Sequence, residues 1–243
     1  MKRLAKTALV IGAIIALAFW YIGYFGGPLF ADRAPTSPTP ANRAGLVAVY
    51  FSGDAGPKIA MGSMIGSRLA ADGIPVVGVN TLTYFRTART PADAANLVVA
   101  AIDHAIAEAH ASRVVLIGHS FGADMLPVGL AGLPQSLRAK VQLVELVVPG
   151  STVQFKATPG GVLSVGVPEV SAAPTAKQLD WVPGLCVQGI EEERSLCPLM
   201  RQPNVTRIAM PGGHALHWDA DGLHARLLAA IDGTSPKVTK ISG

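Results

Sequence analysis

The chain has little from which a redox or metal centre could be built. It holds only two cysteines, Cys186 and Cys197, in 243 residues. No His/Cys spacing resembles a zinc site. No Gly-x-Gly-x-x-Gly turn and no phosphate-cradling loop occurs, which removes the usual nucleotide-cofactor signatures. Neither a cofactor nor a metal is expected. Charge is scarce too, at 15% of residues with a net +4. Part of that excess is Lys2, Arg3 and Lys6 at one end, so the chain lacks the basic surface a nucleic-acid partner needs. Internal repeats are also missing. What remains is 50% hydrophobic, enough for one globular domain with appendages.

The first appendage is residues 1–30. Its three basic residues precede an uncharged apolar stretch that runs through Phe30, with Trp20, Tyr21 and Tyr24 toward its far end. About 20 apolar helical residues cross a bilayer core, with basic residues kept inside and aromatics at the interface. The stretch is long for a signal peptide, although Ala31 leaves cleavage open. Anchor or export signal, it places the rest of the chain in the periplasm and makes the inner membrane a partner. Residues 31–44, with Pro35, Pro38 and Pro40, read as an extended tether. Residues 45–233 form the folded domain and 234–243 a tail.

Within the domain, short apolar runs alternate with helix-compatible segments. Strands are expected over 46–51, 74–79, 113–119, 141–148, 184–190 and 205–210. Helices are expected over 59–71, 90–111, 121–133 and 220–231. Strands apolar on both faces and separated by helices imply a mostly parallel sheet with helices on both faces. Residues 149–181, which include Pro159-Gly160-Gly161, break the rhythm. They suggest a hairpin or flap and are too short for a large lid domain.

The most informative stretch is Val114-Val115-Leu116-Ile117-Gly118-His119-Ser120-Phe121-Gly122. An apolar run meets Gly-x-Ser-x-Gly and a helix follows at once, the context of a nucleophile elbow and of the α/β-hydrolase fold. Ser120 then needs a base and an acid, in the chain order serine, acid, histidine. His214 follows the last strand and is the expected base. His119 occupies the x position and should point away from the nucleophile, while His217 belongs on the rim. The acid comes from the run Glu191-Glu192-Glu193 after the preceding strand, with Glu192 preferred over its two neighbours. An oxyanion hole would combine the Phe121 amide with that of Asp54 or Ala55, in the loop after the first strand. Asp54 and Asp124 are the acidic side chains near the elbow. Asp124, four residues past Ser120, suits a purely bracing role. Cys186 and Cys197 flank the glutamate turn, and in an exported domain such a pair suggests a disulfide, with two buried thiols as the alternative.

Several segments carry a resemblance. They are Tyr50-Phe51-Ser52-Gly53-Asp54, the run from Pro75 to Phe85, Arg89-Thr90-Pro91, the run from Gly118 to Pro127, the run from Gly189 to Cys197, and Pro211-Gly212-Gly213-His214. Together they resemble the family of the bacterial virulence protein VirJ and the C-terminal half of AcvB, over roughly residues 46–231. The resemblance implies a periplasmic α/β-hydrolase. Some members hydrolyse lysyl-phosphatidylglycerol, so an aminoacylated phospholipid becomes the expected substrate, and through the same resemblance Asp54 and Asp124 become candidates for binding its cationic group. After His214 the family often reads His-Phe-Asp-Gly-Asp, whereas this chain reads Ala215-Leu216-His217-Trp218-Asp219. That departure bears on substrate preference more than on chemistry, since His214 is kept. A generic carboxylesterase or thioesterase with the same triad is the second reading. A non-enzymatic periplasmic factor on a hydrolase fold is the third.

Overall fold

A computed structural model of the chain describes residues 2–159 and 169–233. The expected tail at 234–243 and the Gly160-Gly161 turn lie outside the described residues. A helix, α1 (Lys2–Tyr21), comes first, followed by a short strand, β1 (Phe30–Arg33). The domain then alternates β2 (Leu46–Phe51), α2 (Ala60–Ala71), β3 (Val76–Val79), α3 (Thr81–Phe85), α4 (Pro91–Ala109), β4 (Arg113–His119), α5 (Phe121–Ala131) and α6 (Gln135–Arg138). It continues through β5 (Val141–Val147), β6 (Thr152–Val153), β7 (Val170–Ser171), α7 (Ala173–Ala176), β8 (Gly184–Gly189), β9 (Val205–Met210) and α8 (Ala220–Ile231).

Seven strands form one sheet in the order β1-β3-β2-β4-β5-β8-β9. All neighbours are parallel except β1, which runs antiparallel to β3 at the edge. Every residue of β2 is buried, because successive side chains enter opposite cores. Val47, Val49 and Phe51 pack with Leu97, Ile102 and Met125 on the α4–α5 side. Leu46, Ala48 and Tyr50 pack with Ile65, Leu69, Leu223 and Leu227 on the α2–α8 side. A capping box fixes the start of α4. Thr90 accepts from the Asp93 amide, Asp93 accepts from the Thr90 amide, and Pro91 supplies the first turn. Since β2, β4, β8 and β9 are parallel, the loops after them all emerge at one edge. The flap is a two-residue antiparallel pairing of β6 with β7, and no large lid is inserted among the described residues.

Residues 31–44 do not hang free as the proline content suggested. Proline-rich chain is extended, and extended chain can satisfy an exposed sheet edge. Phe30–Arg33 pairs with Val76–Val79. Beyond it, the Thr36 amide donates to the Ala70 carbonyl at 2.8 Å and the Thr39 hydroxyl to that of Gly73 at 2.7 Å. Arg43 closes the strap with a 2.7 Å ion pair to Asp232. The end of α1 is fastened as well. Asn80 Nδ2 donates to the Ile22 carbonyl at 3.1 Å, and the Thr83 hydroxyl to that of Gly23 at 2.7 Å. Leu9, Ile14, Leu17 and Trp20 of α1 are exposed. Among the described residues, no helix is long and apolar enough to cross a membrane.

Candidate active site

Strand β4 delivers Ser120 into the turn before α5. Its backbone sits at φ 52°, ψ −122°, a region that costs a non-glycine residue roughly 1–3 kcal/mol. The surroundings hold it there. The Ser120 amide donates to the Val147 carbonyl at 2.9 Å, and the Ser120 carbonyl accepts from Ala123 at 2.7 Å and Asp124 at 3.0 Å. The flanking glycines answer to the same crowding. A Cβ on Gly118 would lie 2.7 Å from the Ala123 Cα, and one on Gly122 would meet the carbonyl oxygens of Phe51 and Ser52. Helix α5 can therefore turn back on β4 and pass the end of β2 only with glycine at both places.

Ser120 Oγ lies 2.7 Å from His214 Nε2, and His214 Nδ1 lies 2.7 Å from Glu192 Oε1. Glu192 Oε2 accepts the Gly189 amide at 3.1 Å, which orients the carboxylate. Among the three glutamates, Glu192 alone bonds His214, and its side chain is only 13% exposed against 59% for His214. Glu191 and Glu193 are exposed. The bond to Glu192 is the main cause that raises the His214 pKa; burial opposes it. Cys186 in β8 and Cys197 beyond the turn are joined by a disulfide, so the acid-bearing turn is closed covalently at its base.

Ser120 and His214 sit between two cavities. One, of about 350 Å³, is polar and reaches under the flap; Asp54, Asp124, Glu169 and Glu193 line it with Lys156 and Arg194. The other, of about 320 Å³, is mainly apolar; Ile59, Met61, Leu216 and Trp218 line it. Asp54 borders both. Its pKa is raised by burial against the opposing charge of His214. Asp124 is both a brace and a cavity wall. Its Oδ1 accepts the Gly150 amide at 2.6 Å, bracing the loop after β5, and the residue also lines the polar cavity. Burial pushes its pKa up to about 7.

Gly53 packs on Ser120, with its would-be Cβ 3.3 Å from the serine Cβ. The loop that holds Asp54 and Ala55 is therefore beside Ser120. Among the described residues, no backbone carbonyl accepts from the amides of Phe121 or Ala55, whereas the Asp54 amide bonds its own carboxylate. The first of these lies at the N-terminus of α5, where the helix dipole favours negative charge. His119 does not bond Ser120. It faces Tyr50, ring centroids 6.3 Å apart, and borders the apolar cavity; burial drops its pKa to about 4. His217 is exposed and packs over Gly212. Leu216, His217 and Trp218 all have positive φ, between 49° and 59°. That unusual backbone carries Leu216 and Trp218 to the apolar cavity. Leu216 and Trp218 fall in the stretch where the chain departs from the family pattern, whereas Lys156, Glu169 and Arg194 were not expected at the site, because nothing local marks a residue as facing a cavity. No group of three or more His, Cys, Asp or Glu able to hold a metal occurs among the described residues.

The profile of the family described as bacterial virulence protein (VirJ) matches residues 45–235. Comparison with curated proteins gives no match. Among solved structures, Est1E from Butyrivibrio proteoclasticus is similar at 12% identity and TM-score 0.57, covering 83% of this chain and 93% of that one. XC6422 from Xanthomonas campestris, an α/β serine hydrolase without a lid, is similar at 19% identity and TM-score 0.56, covering 87% and 93%. Proline iminopeptidase from Mycobacterium smegmatis is similar at 12% identity and TM-score 0.60, covering 84% and 94%. At these identities the likeness concerns the fold.

Proposed function

The chain belongs to the VirJ family of bacterial virulence proteins, and from that premise we propose that it is a periplasmic serine esterase cleaving the aminoacyl ester of a phospholipid headgroup. The observation that carries the proposal is the continuous relay from Ser120 through His214 to Glu192, with both contacts at 2.7 Å, set between a polar, acid-lined cavity and an apolar one.

In this reading Ser120 attacks the ester carbonyl while His214 Nε2 takes its proton. Glu192 holds the Nδ1–H tautomer and stabilises the imidazolium. The Phe121 amide and that of Asp54 or Ala55 receive the oxyanion. The tetrahedral intermediate collapses, His214 returns the proton to the leaving headgroup alcohol, and the aminoacyl group stays on Ser120. Water then attacks this acyl-enzyme, giving its proton to His214; as the second intermediate collapses, His214 returns that proton to Ser120 Oγ and the amino acid departs. A carboxylic ester needs no metal for these steps. The acid-lined cavity suits an ammonium-bearing acyl group, with lysine as the reading the family supports. Membrane attachment through α1 belongs to the same proposal: although the helix is not long and apolar enough to cross a bilayer, its exposed Leu9, Ile14, Leu17 and Trp20 would hold the domain within reach of lipid.

The test is incubation of the purified protein with lysyl-phosphatidylglycerol in detergent and measurement of free lysine. Wild type should release it and Ser120→Ala should not, with a loss of several orders of magnitude. Equal release from both would refute the mechanism. The apolar cavity beside Ser120 favours one competing assignment, a general carboxylesterase or thioesterase. No lysine release alongside Ser120-dependent cleavage of simple acyl esters would establish it. Failure of Ser120 to react with a fluorophosphonate probe would point to a non-enzymatic factor.

A further inference from the structure

The base of α1 is ringed by cations that the domain leaves unpaired. Lys58 Nζ lies 5.5 Å from the centre of the Tyr21 ring. Arg33 extends from β1 over α2, where a Cβ on Gly66 would be 3.9 Å from its Nε. Arg86 reaches from the end of α3 to Gly26, where a Cβ would be 3.4 Å from Nη1. All three are exposed, and among the described residues none pairs with a carboxylate. The acid next to Arg33, Asp32, points to the opposite face of the strand and is held 2.9 Å from His104. Arg43 and Arg68, by contrast, are each paired with an aspartate.

Two hollows open beside Arg33 and Lys58. One, of about 250 Å³, is lined by Arg33, Lys58, Tyr50 and Ser63. The other, of about 120 Å³, is lined by Trp20, Tyr21, Lys58 and Asn80. Tyr21, Ala31, Pro57 and Lys58 border both, so the two make one groove around the end of the helix. Tyr50, which lines the larger hollow, is 2% exposed, and its hydroxyl has no hydrogen-bond partner. Guanidinium, ammonium and hydroxyl donors without an internal acceptor fit a phosphate. Along α1, the exposed Leu9, Ile14, Leu17 and Trp20 offer an apolar path beside the groove.

We infer that this groove binds the phosphate of an anionic phospholipid, at a site separate from Ser120. The lipid's chains lie along α1, and its headgroup phosphate sits between Arg33 and Lys58. The site has a geometric consequence. Ile22, at the end of α1, meets Asn80 after β3 and Gly56 after β2, and both loops are on the edge of the sheet that carries Ser120. A lipid held here turns the catalytic edge toward the membrane surface. The inference does not depend on which ester is hydrolysed, since this phosphate is held and not cleaved.

The experiment uses the full chain carrying Ser120→Ala, kept in non-ionic detergent and titrated by calorimetry with three probes. They are dihexanoyl-phosphatidylglycerol, dihexanoylglycerol and inorganic phosphate. Saturable binding of the phospholipid is expected, with the phosphate-free diglyceride failing to bind. Adding Arg33→Gln and Lys58→Gln together should weaken phospholipid binding about tenfold or more, from two lost charge-assisted contacts. The charge-preserving pair Arg33→Lys and Lys58→Arg should keep most of it. Restoring Ser120 in the Gln pair should leave turnover of a simple soluble ester unchanged, which shows that the domain is folded. Equal phospholipid affinity with and without the Gln pair overturns the site. So does equal binding of the diglyceride. Inorganic phosphate binding as tightly as the phospholipid would make it a free-anion site and overturn the lipid assignment.

Discussion

Replacing Asp124 by asparagine separates charge from bracing at the polar cavity. Asparagine keeps a carbonyl oxygen where Asp124 Oδ1 accepts the Gly150 amide at 2.6 Å, so the loop after β5 stays in place. What disappears is a carboxylate with a pKa pushed up to about 7 by burial. Such a group is about one-tenth charged at pH 6 and about nine-tenths at pH 8. An ammonium about 5 Å away, at an effective dielectric of about 20, gains roughly 3 kcal/mol from the charged form. Lost hydration offsets part of that, leaving about 1–2 kcal/mol, or about five- to thirtyfold in kcat/KM. The assay compares esters of Nα-acetyl-lysine and Nα-acetyl-norleucine, which differ in the side-chain ammonium. For wild type, the lysine-to-norleucine ratio of kcat/KM should rise as pH goes from 6 to 8. For Asp124→Asn it should be low and flat. The ratio cancels the titration of His214, which both substrates need. A wild-type ratio that does not rise, or an asparagine variant that keeps it, would refute charge recognition by Asp124 and leave only the brace. Asp54→Asn, measured in parallel, should reduce the ratio if Asp54 shares the role, and an unchanged ratio would exclude it.

Three further outcomes rest on the relay and its support. Glu192→Gln should lower kcat by about 10³–10⁴-fold, far more than Glu191→Gln or Glu193→Gln, because Glu192 alone bonds His214. In wild type, activity should rise with pH through a midpoint above the ordinary histidine value, since His214 must be neutral to accept the proton and Glu192 raises its pKa; in the residual activity of Glu192→Gln that midpoint should move to lower pH. Removing the Cys186–Cys197 disulfide by a double alanine substitution should cost about 3 kcal/mol for a loop of 11 residues, measured by urea denaturation. It should also lower kcat through the loosened glutamate turn, and an unchanged kcat would assign the bridge to stability alone.

The one-dimensional pattern was sufficient for the six parallel strands and the turn at Ser120, because both rest on local chemistry. The apolar run before Gly118-His119-Ser120-Phe121-Gly122 meets a tight turn that tolerates only glycine at its flanks, and the observed strand and helix bounds follow it closely. Serine, acid and histidine in sequence order, each after a strand, bring Ser120, Glu192 and His214 to one edge, since parallel strands end on the same side. Glu191, Glu192 and Glu193 are chemically equivalent in sequence, and only the direction of each side chain, fixed by the turn after β8 and the Gly189 amide, selects Glu192. Residues 31–44 carry the composition of a free linker, yet β3 had an unpaired edge that the sequence did not reveal, and β1 fills it. The two cavities, the left-handed run at Leu216, His217 and Trp218, and the unpaired cations at the base of α1 draw on residues far apart in the chain. Their placement was decided by packing alone, where no local periodicity or spacing records which side chains share a space.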